Sequence, residues 1–357
     1  MGLAALKILV VNAGSSSLKL SVLDGDELVW SGSELGDVGG VDAVGLRIVH
    51  GGTEFVEPVV IDDDVVRRIQ ALTDLAPLHQ PKSLRALELV RRALPEVPEV
   101  ACFDTAFHAA MPEPAATYAL PREWRLRWTL RRFGFHGLSH AYASRRAAEL
   151  AGRVHEELRI VTCHLGAGAS LAAVRGGHSV DTTMGFTPLD GLVMATRSGS
   201  VDPGLILWLE EHMGMPPSEL ASALEHRSGL TGLAGTGDMK AILEAESAGD
   251  ADAHLAVEVY LHRLRREIAA MTAALGGLDV LVFTGGVGEN AAPIRARAAA
   301  GLGYLGIAVD AERNETAVLD ADIGSGDARV FAIAAREDLE IARGVRSALA
   351  LEEHEHG

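Results

Sequence analysis

The chain has 357 residues, 48% of them hydrophobic and 23% charged, with a formal net charge of −17 and two cysteines. That acidity argues against a nucleic-acid surface as its main business, and no apolar run reaches the roughly 20 residues that a membrane-spanning helix needs. The length exceeds what one ordinary core holds and predicts two domains. No charged-then-apolar leader precedes Lys7, and Cys102 and Cys163 sit inside apolar strand-like runs. The expectation is a cytoplasmic protein with buried, reduced thiols.

Residues 7–23 form the first and most informative element. The apolar run 8–11 ends in Asn12-Ala13-Gly14-Ser15-Ser16-Ser17, and alternation resumes at Leu18, Leu20 and Val22. This predicts a strand, a tight polar turn and a second strand. A turn of small residues, hydroxyls and free backbone N–H groups, with Lys19 just beyond it, suits phosphate oxygens. It is not a P-loop, because the Gly-Lys-Ser/Thr ending is missing and a strand follows where a helix should start. Further on, Arg47 lies inside the apolar strand 46–49, which ends in His50-Gly51-Gly52. The strand 100–103 ends on Asp104, with Thr105-Ala106-Phe107-His108 next. Residues 122–132 are basic, with Trp124 and Trp128 interleaved, and read as a solvated amphipathic helix or a strut between domains. Phe133-Gly134-Phe135-His136-Gly137 is a glycine-punctuated turn carrying one histidine.

The second half echoes the first. Residues 160–164 lead into Leu165-Gly166-Ala167-Gly168-Ala169-Ser170, strand 171–174 follows, and Gly176-Gly177 matches the Asp24-Gly25-Asp26 turn. A spacing of about 150 residues predicts duplicated domains that clamp a ligand, since solenoid repeats run at about 20–50. Thr196-Arg197-Ser198-Gly199 is another short polar turn, and residues 252–275 read as a long helix. Then come strand 280–284, the turn Gly285-Gly286-Val287-Gly288-Glu289-Asn290, and helix 291–300, with Asn290 placed to cap it.

Taken singly, each buried Arg, Asp or His reads as a satisfied structural residue. Two arginines, a histidine and a carboxylate beside two anion-binding turns are, taken together, the set that phosphoryl transfer uses. A rival reading is a dehydrogenase, because Gly286-x-Gly288-x-x-Ala291 fits the dinucleotide fingerprint and Asp310 follows another strand at about the expected distance. It leaves the hairpins at Asn12 and His164, and the arginines, unexplained.

Blocks 12–19, 47–52, 75–79, 103–108, 132–140, 164–170, 184–203, 232–240, 283–290 and 337–343 together resemble the acetokinase family, in family order along nearly the whole chain. That family of acetate and propionate kinases belongs to the sugar kinase, Hsp70 and actin superfamily. The resemblance implies an α/β fold of two similar ribonuclease H-like (actin-like ATPase) domains, with a nucleotide cleft between them that closes by a hinge. Residues 1–104 plus 340–357 would form the N-terminal domain, with the acyl- and phosphate-binding hairpin. Residues 105–339 would form the C-terminal domain, with the nucleotide motifs.

The implied reaction is reversible transfer of the γ-phosphoryl group of ATP to a short-chain carboxylate. ATP would be co-substrate, Mg²⁺ (or Mn²⁺) the metal, and a cytoplasmic homodimer the assembly. By the same resemblance, Arg47 and Arg197 hold the acceptor carboxylate and the transferring phosphoryl, and His136 hydrogen-bonds that phosphoryl. Asn12 positions phosphate and metal, while Asp104 and Glu337 organise the metal directly or through waters. Ser15, Ser17 and Lys19 line the β- and γ-phosphate region, and His164, Gly166, Ala167 and Gly168 face it from the second domain. Asp238, Met239, Lys240, Gly285, Gly286, Gly288 and Asn290 line the adenosine site. Val49, Leu78, Phe135 and Pro188 form a small apolar acyl pocket.

The chain departs from the family pattern in several places. Ala167 replaces Asn, Lys240 replaces Arg, Ser200 replaces Asp, Leu46 replaces His, Leu138 replaces Thr and Arg336 replaces Asn. The segment between Leu23 and Arg47 is also short. These changes spare Arg47, Arg197, His136, Asp104 and Glu337, so the phosphoryl chemistry is expected to persist. Three further readings are a propionate kinase, a pyrophosphate-using variant and a non-acyl ATPase or sensor. The acceptor set Arg47, Arg197, Phe135 and Pro188 argues against the last.

Overall fold

The computed structural model describes residues 6–13, 18–36, 38–76 and 80–355. Its first sheet has six strands: β1 (Lys7–Ala13), β2 (Leu18–Asp24), β3 (Glu27–Gly32), β4 (Ala43–Ile48), β5 (Val59–Val60) and β6 (Glu99–Phe103), in the order β3-β2-β1-β4-β6-β5. Strands β1, β4 and β6 run parallel, while β2, β3 and β5 pair antiparallel. Side chains alternate across the sheet. Leu9 and Val11 join one core with Val65, Ile69 and Leu87, whose helices are Asp63–Ala71 and Gln80–Ala93. Ile8 and Val10 join a second core with Ile341 and Val345 of the helix Glu337–Glu355. With both faces covered, β1 reads as a continuous apolar run. Gly45 in β4 admits that last helix: a Cβ there would stand 2.5 Å from Ile341 and 2.7 Å from Val345. The helix therefore lies on the sheet with its first residue, Glu337, available to the parallel strand ends.

The second sheet repeats the plan. Strands β7 (Arg159–Leu165), β8 (Ala169–Arg175), β9 (His178–Thr182), β10 (Val280–Thr284), β11 (Ala321–Asp322) and β12 (Arg329–Ala332) run in the order β11-β12-β10-β7-β8-β9, with the same pairing directions. The likeness extends to a register irregularity. It falls between Val22 and Leu23 in the first hairpin and between Ala173 and Val174 in the second, the fifth and sixth residues of their seven-residue strands in both. The helix Ala251–Leu275 starts on the Asp250 side-chain cap and ends at left-handed Gly276.

The chain divides into two compact units, residues 1–109, 135–142 and 336–357 in one, and 110–134 and 143–335 in the other. The short return of 135–142 differs from the expected boundary at 104. The Gly137 N–H donates to the Asp104 carbonyl at 2.9 Å, which ties the histidine turn to the end of β6. The helix Arg122–Arg127 is exposed throughout, as a solvated helix should be. Among the described residues no helix is long and apolar enough to cross a membrane.

Residues 285–290 correct the sequence reading. They form a short helix, Gly285–Asn290, where a turn was expected, so Asn290 ends one helix where it was expected to cap the next. Its Nδ2 donates to Gly286 O at 2.9 Å, and the cap position of helix Ala292–Ala300 falls on Ala291. Asp310 follows no strand; it caps the short helix Ala311–Glu315, which removes the support for a dinucleotide fingerprint.

Candidate functional site

In the first unit, functional side chains gather where three parallel strands end, the edge at which α/β sheets hold ligands. Asn12 is near the end of β1, Arg47 near the end of β4, and Asp104 directly follows β6. Arg47 Nε donates to Asp104 Oδ1 at 2.9 Å, and Nη2 engages Asp104 Oδ2. Arg47 Nη1 donates to Asn12 Oδ1 at 3.2 Å, and Asn12 Nδ2 donates to Glu337 Oε2 at 2.7 Å. Asp104, Arg47, Asn12 and Glu337 thus form one continuous chain of contacts. Asp104 is 1% exposed. Burial pushes its carboxyl up and Glu337 adds to that, while Arg47 and the His136 N–H oppose it. Burial alone would push the Arg47 guanidinium down; Asp104 and Glu337 outweigh it and hold the group above its ordinary value.

His136 is held by backbone geometry. It is the one non-glycine residue with positive φ among the described residues, at 57°. Gly137 must lack a Cβ, which would collide with the Asp104 carbonyl and crowd Phe107. The Phe135 carbonyl lies 3.1 Å from His108 Nε2, and its ring stands edge-on to His50 at 5.6 Å. His50 is fully buried; its Nδ1 accepts from Gly52 N at 2.9 Å, and burial lowers its pKa from 6.5 to about 4. Gln80 donates from Nε2 to the His50 carbonyl at 3.1 Å and accepts from its N–H at 3.3 Å. Val49 and Phe135 are both buried in this unit, Val49 directly preceding His50. Lys19 pairs in register with Asn12 and is exposed. Ser15, Ser17 and Leu78 lie outside the described residues.

The second unit brings Arg197 and Pro188 together, with Arg197 Nη1 donating to the Pro188 carbonyl at 2.8 Å. Arg197 is half-buried and makes no ion pair among the described residues; burial lowers its pKa, with Glu225 pulling the other way. Ser200, which replaces an aspartate of the family pattern, donates to Asp190 Oδ1 at 2.5 Å, where a second carboxylate would be repelled.

A cavity of about 660 Å³ in the same unit is lined by Gly166, Ala167, Asp238, Met239, Lys240, Gly286 and Asn290 of the expected set. This volume is ample for a small-molecule ligand. Asp238 caps the helix Met239–Ser247 by accepting from Lys240 N at 2.9 Å. Gly286 faces open space, so backbone is presented bare to the cavity. Gly285, Gly288, Gly168 and His164 do not line it. Gly285, at φ +75°, packs against the Leu165 backbone, and Gly288 packs against Phe283.

Sequence reasoning missed Leu230, Leu243 and Pro293, which supply apolar wall and carry no motif. It also missed Arg295, 2% exposed, which donates to Gly288 O at 2.9 Å, Glu289 O at 2.7 Å, and Asn314 Oδ1 at 2.7 Å. The only sequence signal was an arginine on the face of a helix otherwise rich in alanine. Among the described residues no cluster of three His, Cys, Asp or Glu side chains forms a metal site. The oxygen donors that stand near one another are Asn12, Asp104 and Glu337.

The profile of the Acetokinase family matches residues 32–343. The acetate kinase of Synechococcus sp. (strain JA-2-3B'a(2-13)) is 50% identical over 326 residues, covering 90% of this chain and 80% of that protein. The crystal structure of Porphyromonas gingivalis acetate kinase superposes with a TM-score of 0.89 at 34% identity, over 97% of this chain and 100% of that one. A propionate kinase from Francisella tularensis gives 0.88 at 34% identity, over 95% and 98%. Superposition over nearly the whole chain, a family match along most of the length and half-identity to a named relative establish that the chain belongs to the acetokinase family.

Proposed function

We propose that this protein is an acetate kinase, transferring the γ-phosphoryl group of ATP reversibly to acetate to give acetyl phosphate and ADP. The observation that carries the reading is the Asp104–Arg47–Asn12–Glu337 chain at the strand ends, which holds cation, amide and carboxylates together. The transfer needs no general base, because acetate is already ionised at neutral pH. The work is to hold two anions together and to steady spreading charge, which positioning and electrostatics supply.

Arg47, locked by Asp104, receives the acceptor carboxylate, and His136 donates to the transferring phosphoryl. Arg197, a half-buried guanidinium with no ion pair among the described residues, is the second cation that the family resemblance assigns to the reaction. Asn12, Asp104 and Glu337 would supply the hard oxygen ligands that Mg²⁺ prefers; burial, with Glu337 adding to it, raises proton affinity at Asp104, and a bound divalent cation would oppose that. When bound, Mg²⁺ neutralises phosphate charge. Ser15, Ser17 and Lys19 complete the phosphate region.

The second unit's cavity takes the nucleotide. Leu230, Leu243 and Pro293 give a base an apolar wall that pyrophosphate has no use for. Val49 and Phe135, both buried in the first unit, are the residues that the family resemblance assigns to the acyl group. An apolar wall discriminates by only about 1–3 kcal/mol per methylene, so propionate is the second substrate. The protein works in the cytoplasm, in keeping with two buried free thiols. It works as a homodimer, for which the support is the helix Pro203–Met213: none of its residues is buried, and Leu205, Leu207, Trp208 and Met213 are 47–61% exposed.

The test is hydroxylamine trapping of acyl phosphate with formate, acetate, propionate and butyrate, each with ATP, GTP or pyrophosphate. The expected result is acetate-dependent product with ATP, less with propionate, and loss of at least a hundredfold in Arg47→Ala. Nucleotide hydrolysis indifferent to the acid would point to an ATPase, and saturation by pyrophosphate alone would overturn the donor.

A further inference from the structure

A second cavity, of about 340 Å³, lies in the first unit, apart from the Arg47 contact chain. Small residues open it: Ala106, Gly137, Ala141 and Gly344 all contribute to its lining. Phe107, Val56, Pro58 and Leu138 give it an apolar wall, and Leu138 stands where the family pattern has threonine. The remaining side is charged, with Glu57, Glu340 and Arg343. Arg343 Nη1 donates to Glu340 Oε1 at 3.0 Å; the Glu340 side chain is 9% exposed and that of Arg343 is 64%.

We infer that this cavity is an effector site for an apolar amino acid in its zwitterionic form. A largely apolar cavity with two acidic groups and one basic group on its remaining side has the complement of such a ligand: Glu340 and Glu57 for the ammonium, Arg343 for the carboxylate, and the Phe107–Leu138 wall for the side chain. A simple carboxylate would meet two acidic groups for one guanidinium, and a simple amine would leave Arg343 without a new partner. A zwitterion exchanges one neutral pair for two. The existing Glu340–Arg343 pair, open to solvent on the arginine side, is a weak one to divide. The volume suits leucine, isoleucine or valine within the usual size of small-molecule sites.

The position gives the site its consequence. Cys102 and Phe103 of the lining precede Asp104, Gly137 and Leu138 follow His136, and Glu340 lies one helical turn after Glu337. Gly344 already keys this helix to the strand, because a Cβ there would stand 2.9 Å from Cys102 Sγ and 3.0 Å from Pro58. An occupant therefore touches the segments that carry Asp104 and Glu337, the two ends of the Arg47 contact chain, and the histidine turn, and ties them together.

The experiment is thermal unfolding and calorimetric titration of the full chain with L-leucine, L-isoleucine and L-valine, with isocaproate and isoamylamine as half-ligands. The expected result is saturable binding of the amino acids with a rise of a few degrees in Tm, and neither effect from the half-ligands. Arg343→Gln, at an exposed position, should abolish the response while folding normally. Ala141→Phe, which fills the chamber, should abolish it as well. If Ala141→Phe fails to fold, Arg343→Gln decides alone. Absence of binding at millimolar ligand, an equal response to isocaproate, or a response that survives Arg343→Gln would each overturn the assignment. The readout is independent of phosphoryl transfer, so it stands or falls apart from the proposed activity.

Discussion

Arg47 and Arg197 carry the same charge in opposite settings. One is clamped bidentately by Asp104; the other makes no ion pair among the described residues and is held by a carbonyl. The first was legible as an arginine in an apolar strand, where a buried cation demands a partner. The second was legible as a lone cation in a glycine-punctuated turn, and its role only through family resemblance. His50 was not legible as anything special, because its meaning is its burial and its bonds to Gly52 and Gln80, which no local pattern encodes. That burial has a consequence in acid. Its pKa falls from 6.5 to about 4, so the unfolded chain takes up a proton between these values that the folded chain refuses. Stability contributed above pH 6.5 is lost as pH drops toward 4, by about 3 kcal/mol. Denaturant titration at pH 7.5, 5.5 and 4.5 should show this loss. His50→Asn, which keeps an acceptor for Gly52, should flatten it; an unchanged slope would exclude His50 as the source.

Among the elements, the hairpins were read correctly because small polar turns interrupt apolar alternation, and the structure adds a shared strand irregularity that no composition reveals. The glycine turn after β10 was misread. Three glycines in six residues argue against helix on propensity alone. Tertiary contact overrides that: Arg295 takes the carbonyls of Gly288 and Glu289, and Asn290 takes that of Gly286. The glycines are consequently not equivalent. Gly285→Ala meets a positive φ and the Leu165 backbone at 3.0 Å, so a loss of about 1–2 kcal/mol or more is expected in urea melts. Gly286→Ala faces open space and should melt like the parent, yet raise KM for the nucleotide severalfold by placing a methyl in the cavity. Equal stability of both variants would show that the turn is not held as described.

At the scale of the molecule, duplication was visible in the repeated hairpin, but the excursion of residues 135–142 into the first unit was not. It is tied there by the backbone bond between Gly137 and Asp104 and by Phe135, whose carbonyl meets His108 and whose ring meets His50, all partners far apart in sequence. The helix Pro203–Met213 poses the reverse problem. A helix that carries the apolar run 205–209 reads as core on that stretch, yet none of its residues is buried in the single chain. If a second copy covers it, Leu207→Glu combined with Trp208→Glu should convert the dimer to a monomer in light scattering, with each unit still folded. A wild-type chain that scatters as a monomer would refute the proposed assembly.

The left-handed backbone at His136 sets two demands against each other. A glycine there would relax the torsion and toughen the fold, but it would strip away the only imidazole that the turn presents. Breeding this protein for heat endurance alone, blind to turnover, would therefore drift toward a sturdier and idle molecule at this one codon.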